Sequence, residues 1–193
     1  MTTDIDIASN ALLLIGDSPI NSFTESGAGA TVAKAMYTAT KKMMLSEHPW
    51  TFALKEQYLN RLSAQPDDET NYEYAFQLPG ELIRVLAVFP YSNYTIVGDL
   101  LYSNELVLLA RYIYDVAESQ LPPHFIKALE YKLASDFAMS VTENTIKAEF
   151  YEKKYMMQLS AARTIDSQNK PQTPIIDSPF VDVRYNGGMW RWY

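Results

Sequence analysis

Cysteine is absent from all 193 residues. That excludes disulfides, thiolate zinc sites, iron–sulfur clusters and cysteine nucleophiles together. It also fits a soluble protein of a reducing compartment. Histidine occurs only twice. Basic residues are in deficit: Lys plus Arg number 16 against 23 Asp plus Glu, for a formal net charge of −7. The overall basic footprint of a phosphate-gripping protein is therefore missing. No apolar run approaches the roughly 18 residues of a membrane helix. The opening MTTDIDIASN is acidic and polar and does not read as a signal peptide. What remains is 48% hydrophobic and 20% charged, a globular composition of one domain or two small ones.

What is abundant is tyrosine, with 14 copies beside 8 Phe and 3 Trp. A tyrosine ring favours apolar contact while its hydroxyl needs a polar partner. Half-buried sheet faces and binding surfaces meet both needs.

The chain reads helix, helix, strands, helix, helix, tail. Ile5, Ala8, Leu12 and Ile15 form one helical stripe. Gly16 suits a helix stop, and Asp17-Ser18-Pro19 forbids continuation. After a polar loop, Val32, Met36, Ala39 and Met43 repeat the helical spacing, and Pro49 ends this helix near Glu47. From Trp50 the period becomes two. Phe52, Leu54 and Tyr58 lie on one strand, and Tyr72, Tyr74, Phe76 and Leu78 on another. Leu82 to Phe89 reads as a strand buried on both sides. Gly98-Asp99 reads as a type II′ hairpin turn, and Glu105 to Tyr114 as a longer strand. The short connections make the series antiparallel.

After Leu121-Pro122-Pro123 the helical period returns in Phe125, Leu129, Leu133, Phe137 and Val141. Ser140 and Glu143 have capping-box spacing and mark a boundary before Asn144. Ile146, Phe150, Met157 and Ala161 predict the inner stripe of a last helix ending near Ser167. The expected fold is α+β. Residues 1–49 and 117–168 form a bundle of about four helices, two from each end of the chain. Residues 50–116 form an inserted antiparallel β domain, and residues 169–193 an extended C-terminal arm.

Catalytic constellations are thin. His48 and His124 have no G-x-S-x-G, HExxH or P-loop beside them, so capping or packing is the expected role of each. Asp67-Asp68-Glu69 offers oxygen ligands for a divalent cation but reads better as a solvated turn. Gly27-Ala28-Gly29 lacks the strand and lysine of a phosphate cradle and reads as a loop. No catalytic residue, metal or cofactor is expected. The conspicuous feature is the end, Trp190-Arg191-Trp192-Tyr193. Large aromatics and Arg at a chain terminus are hot-spot chemistry. Burying two such rings contributes roughly 3–6 kcal/mol, at about 1.5–3 kcal/mol each.

Four stretches, taken in order, resemble one family: ALLLIGDSPINSF, EHPWTFALKEQYL, YEYAFQLPGELIRVLAV, and LLYSNELVLLARYIYDV coupled to FIKALEYKLASDFAMSVTEN. Over about residues 5 to 168 they are similar to the tail tubular protein A, or gatekeeper (head-to-tail adaptor), family of short-tailed bacteriophages and related prophages. Gly80-Glu81 departs from the family pattern, in which an acidic residue directly follows the proline. The resemblance implies a virion protein, assembled in the host cytoplasm, that forms a ring, usually of twelve copies. The ring lies beneath the portal and carries the tail nozzle or tube. Double-stranded DNA passes through its lumen without sequence-specific binding, and no membrane is involved. On this view Phe180, Arg184, Tyr185, Trp190, Arg191, Trp192 and Tyr193 of the arm contact the portal or a neighbouring subunit. Asp67, Asp68, Tyr91, Tyr94 and Tyr102, on loops and hairpins of the β region, contact the nozzle or a fibre. Two alternatives are a neck or tail-completion connector of a long-tailed phage, and a cytosolic domain that binds a small ligand on its tyrosine-rich sheet.

Overall fold

The first helix, α1 (Asp4–Ile15), begins where Thr3 and Asp6 close a reciprocal capping box. It ends at Gly16, whose φ of 85° is the left-handed conformation that glycine adopts without a Cβ penalty. Two further carbonyls at this end are met from the far end of the chain. The Lys147 ammonium donates to Ile15 O at 2.5 Å, and the Tyr151 hydroxyl to Leu14 O at 2.5 Å. A cation at a helix C-terminus also opposes the helix dipole favourably. Helix α2 (Ala28–Glu47) stops before Pro49. Helices α3 (Pro123–Thr142) and α4 (Thr145–Gln168) follow the strands. A computed structural model describes residues 2–63 and 71–169 of the chain.

The molecule is α+β, with four helices and two antiparallel sheets. All seven described strands lie between α2 and α3: β1 (Leu54–Tyr58), β2 (Asn60–Arg61), β3 (Tyr74–Gln77), β4 (Leu82–Phe89), β5 (Tyr94–Val97), β6 (Leu100–Ser103) and β7 (Leu109–Tyr114). One sheet has the order β1-β7-β4 and the other β2-β3-β6-β5. Val97 pairs with Leu100 across Gly98-Asp99. Gly98 has φ of 62° while Asp99 is not left-handed, which matches the expected type II′ turn.

Two apolar cores result. The larger gathers α1–α4 around Trp50, Phe125, Leu129, Leu133 and Phe137. The smaller lies between the sheets, around Phe76, Leu101, Leu108 and Tyr112. The three-stranded sheet serves both cores. Alternation sends Ile113 and Leu54 to the helical side and Ala110 and Tyr112 to the sheet side.

Several expectations shift. The strands form two sheets rather than one series. β4 does pack on both sides, with Ile83 and Leu86 toward the helices and Leu82, Val85 and Val88 toward the other sheet. It is nevertheless an edge strand, so most of it is only half-buried. The last strand starts at Leu109, not Glu105. Ser140 stays inside α3. Glu143 closes that helix in the left-handed region, and Asn144 caps α4 by accepting from Lys147 N at 3.0 Å. Gly27 is the N-cap of α2 and Ala28-Gly29 its first turn, rather than loop. In α2 the buried row is Ala33, Tyr37, Lys41 and Met44, one position along from the expected stripe.

The largest reversal is in α4. Its buried residues are Tyr155, Leu159, Ala162 and Asp166. Ile146, Phe150, Met157 and Ala161, expected inside, face outward. The inner row is anchored by polar tips that a hydrophobicity pattern does not credit. Tyr151 reaches Leu14 O, and Tyr155 reaches the Glu47 carboxylate at 3.2 Å.

Candidate functional site

The expected contact residues fall into three groups. Phe180, Arg184, Tyr185, Trp190, Arg191, Trp192, Tyr193, Asp67 and Asp68 lie outside the described residues. Tyr91, 84% exposed, stacks edge-on against Phe89 with ring centroids 4.8 Å apart. Tyr94 and Tyr102 lie on neighbouring strands, β5 and β6. Tyr94 pairs with Ser103 and Tyr102 with Thr95, so the two tyrosines point to opposite faces of their sheet. The three described tyrosines therefore do not form one contact surface.

Each histidine lies at a helix boundary. His48 stands edge-on to Trp50, centroids 4.9 Å apart, with Nε2 3.8 Å from an Asp166 oxygen. Asp166 is fully buried and accepts from the Thr51 amide at 2.9 and 3.1 Å and from the Thr51 hydroxyl at 2.6 Å. This cluster joins the end of α4 to the turn between α2 and β1. His124 opens α3, and its carbonyl accepts from Gln158 at 3.3 Å. Among the described residues no group of three or more His, Asp or Glu is placed to hold a metal ion.

A cleft of about 530 Å³ opens between α1, α2 and the segment after β7. At its wall Lys41, nearly buried, bridges Asp115 at 2.9 Å and Glu118 at 2.8 Å. Asp4, Lys34 and Tyr37 complete the polar lining. The sheet tyrosines take no part in it, so a small-ligand pocket on the tyrosine-rich sheet face is not what this cleft provides. Burial, reinforced by the Glu118 carboxylate, holds the Tyr37 hydroxyl well above the usual tyrosine range. Burial and then Glu47 do the same for Tyr155.

Both tyrosines thus keep their protons more tightly folded than unfolded, where 10.0 is the ordinary value. The corresponding stability is fully present below pH 10 and is lost as pH rises beyond it. Lys132 shifts in the same direction: desolvation opposes its charge, but hydrogen bonds to Glu152 and Asp136 outweigh it. Each tyrosine adds a slope of about 1.4 kcal/mol per pH unit above that point. Urea midpoints measured from pH 8 to 12 should fall steeply above pH 10. Tyr37→Phe with Tyr155→Phe should flatten the fall, and an unchanged profile would contradict the assignment.

Of the apolar side chains exposed among the described residues, two groups stand out. The first is the outer face of α4: Ile146 is 82% exposed, Phe150 52% and Met157 70%. Lys153 and Lys154 stand between them. The second is the far end of the three-stranded sheet, on its helical side. There Tyr58, Leu109 and Phe89 form one cross-strand row through β1, β7 and β4. Tyr58 is 66% exposed, Leu109 and Phe89 are half-buried, and the exposed Leu106 and Val107 precede β7 in the chain. The Arg111 guanidinium lies 5.2 Å from the Phe89 ring centroid and pairs with Glu56 at 2.5 Å. Exposed aromatic side chains of this kind are among those that carry binding energy.

Sequence reasoning missed both surfaces. The first was legible as a competing stripe, Tyr151, Tyr155, Leu159 and Ala162, whose choice as the inner row frees the other. The second depends on cross-strand register, which no local pattern contains. Comparison with protein-family models and with curated proteins finds no match to the chain. No helix among the described residues is long and apolar enough to cross a membrane.

Proposed function

We propose that this chain is a structural virion subunit, the head-to-tail adaptor that joins a phage portal to its tail nozzle or tube. The observation that carries the reading is the pair of unlike apolar faces, helical on α4 and stranded at the outer end of β1-β7-β4. A closed ring is built from head-to-tail contacts, and each copy must offer two different complementary faces. A monomer gains nothing from exposing either. The family-like stretches support the same reading, since they occupy the joints of the fold. Gly16 closes α1, and Trp50 sits where helix gives way to strand.

In this reading residues 50–116 are a β domain inserted into the bundle of 1–49 and 117–168, and 169–193 form an arm. The arm's aromatic residues engage the portal or a neighbour. Tyr91, Tyr94, Tyr102, Asp67 and Asp68 serve the nozzle or fibre from different sides of the β region. The net charge of −7 suits a DNA conduit, because an acidic wall lets a phosphate backbone slide where a basic one would hold it. No bond-breaking step is assigned to the chain.

The test is reconstitution. The full chain mixed with a phage portal protein from the same source should co-migrate as one large assembly with many copies of the chain per portal ring. Removing residues 180–193 should weaken that assembly by at least about tenfold, the effect of roughly 1.4 kcal/mol. Independent migration of the two proteins would contradict the proposal.

A further inference from the structure

We infer that the root of the C-terminal arm, residues 171–180, folds back on its own chain and lies in the groove between α2 and the second half of α4. This holds whether or not the chain is an adaptor, and in an adaptor it fixes where the arm leaves the body.

Two adjoining hollows of about 310 and 300 Å³ run along α4, and both are lined by Met156, Leu159 and Arg163. Thr164 and Ser167 lie toward one end, and Met43 of α2 walls the other. Met43 is 40% exposed and Met156 59%, so both thioether chains stand partly in water. The hydroxyls of the groove already donate within the helix, Thr164 to Ser160 O at 3.0 Å and Ser167 to Arg163 O at 2.7 Å. Arg163 pairs with Glu47 through Nη2 at 3.1 Å, while its enclosed Nε has no acceptor among the described residues. The groove therefore offers methionine and leucine surface together with a donor. It suits an occupant that brings apolar side chains and carbonyls and few N–H groups.

The segment 171–180, PQTPIIDSPF, beyond the described residues, has that composition. Pro171, Pro174 and Pro179 carry no N–H, and Ile175, Ile176 and Phe180 are apolar. Proline also presets an extended backbone, so less conformational entropy is lost on docking. Position points the same way. α4 ends at Gln168, directly after Ser167 at the mouth of the groove. From Ser167 back to Met156 the helix spans about 16 Å. After a turn of about three residues, an extended chain covers that span in about five residues at about 3.1 Å each. Ile175 and Ile176 then lie over Leu159 and Met156. A segment tethered at the entrance meets the groove at an effective concentration of about millimolar, which a separate protein must exceed. Docked in this way, the arm leaves the bundle near the middle of α4, and residues 181–193 remain as the tether that carries Trp190, Trp192 and Tyr193. A shorter tether keeps those aromatics at a higher local concentration beside a partner.

The absence of cysteine makes every introduced thiol unambiguous. Full-length Met156→Cys/Ile176→Cys at low concentration is treated with a short bis-maleimide linker, and the products are sized and mapped by mass spectrometry. Intrachain linkage should exceed that of Lys154→Cys/Ile176→Cys by at least about tenfold. Lys154 is an exposed site at nearly the same depth on α4, turned about 160° away from Met156. Adding Met43→Asp to the first pair places a charge in the groove wall at an exposed position, and the yield should fall to the Lys154 level. Equal yields from the two pairs, or a yield that Met43→Asp leaves unchanged, overturn the inference. A predominance of interchain dimers does so too, because it gives the groove to a neighbour's arm. Intrachain linkage in a chain that ignores the portal would leave this docking intact and defeat the adaptor reading. Portal binding without the linkage would do the reverse.

Discussion

Trp50→Ala should cost about 3–5 kcal/mol, the largest effect expected of any single substitution in this chain. Trp50 is fully buried where α2 turns into the first strand. Its ring meets Phe125 edge-on at 5.2 Å and Phe52 at 5.7 Å, with His48 at 4.9 Å on another side. It therefore ties α2, α3 and the strand region into one core. Its indole N–H also donates to Met44 O at 3.0 Å, so truncation removes a buried hydrogen bond as well as leaving a cavity. Native domains hold only about 5–15 kcal/mol in reserve. The loss should lower the melting temperature by roughly 10 °C, at about 2–4 °C per kcal/mol for a chain of this size. Trp50→Phe keeps most of the ring contacts and should cost less than half as much. Urea unfolding followed by circular dichroism reads both. Equal costs for the two variants would show that packing around the indole is not what matters.

Asp166→Ala is expected to cost about 3 kcal/mol, for a different reason. Its carboxylate is fully buried and holds the Thr51 amide and hydroxyl from 115 residues away in sequence. Truncation leaves the part-buried Thr51 N–H without its acceptor and releases the end of α4 from the helix-to-strand joint. Asp166→Asn keeps one carbonyl oxygen for the amide and should recover at least half of the loss. Hydrogen exchange at the Thr51 amide provides a local readout. It should accelerate strongly in Asp166→Ala and only modestly in Asp166→Asn. Unchanged protection in Asp166→Ala would contradict the account.

How much of this was legible in the sequence varies by element, for physical reasons. The stripes of α1 and α3 were readable because each carries an unbroken apolar row, in α3 Phe125, Leu129, Leu133 and Phe137, with the buried Glu130 and Ser135 off that row. α2 and α4 were misread because their inner faces carry groups whose burial depends on distant partners. Lys41 is tolerated inside only because Asp115 and Glu118 meet it. Tyr155 is tolerated because Glu47 does. Their outer faces keep Met, Phe and Ile that a solvated helix has no use for. The hairpin at Gly98-Asp99 was readable from two residues, since its turn chemistry is local. The division into two sheets was not, because β1 pairs with β7 across more than fifty residues.

The same distinction governs the candidate site. The aromatic terminus was conspicuous in composition but lies outside the described residues. The surfaces that the fold creates are elsewhere, and each was hidden differently. The α4 face was mistaken for core, and the sheet row exists only once β1, β7 and β4 are aligned. An apolar residue in a sequence pattern states that it needs cover, and only the fold states whether its own chain provides it.

The most direct test of the central claim is electron microscopy of assembled virions in which this chain carries an N-terminal label. The adaptor account predicts label in an annulus at the single vertex between capsid and tail, in several copies per particle. Particles that are complete and infectious without the chain, or that carry label anywhere but that junction, would contradict it.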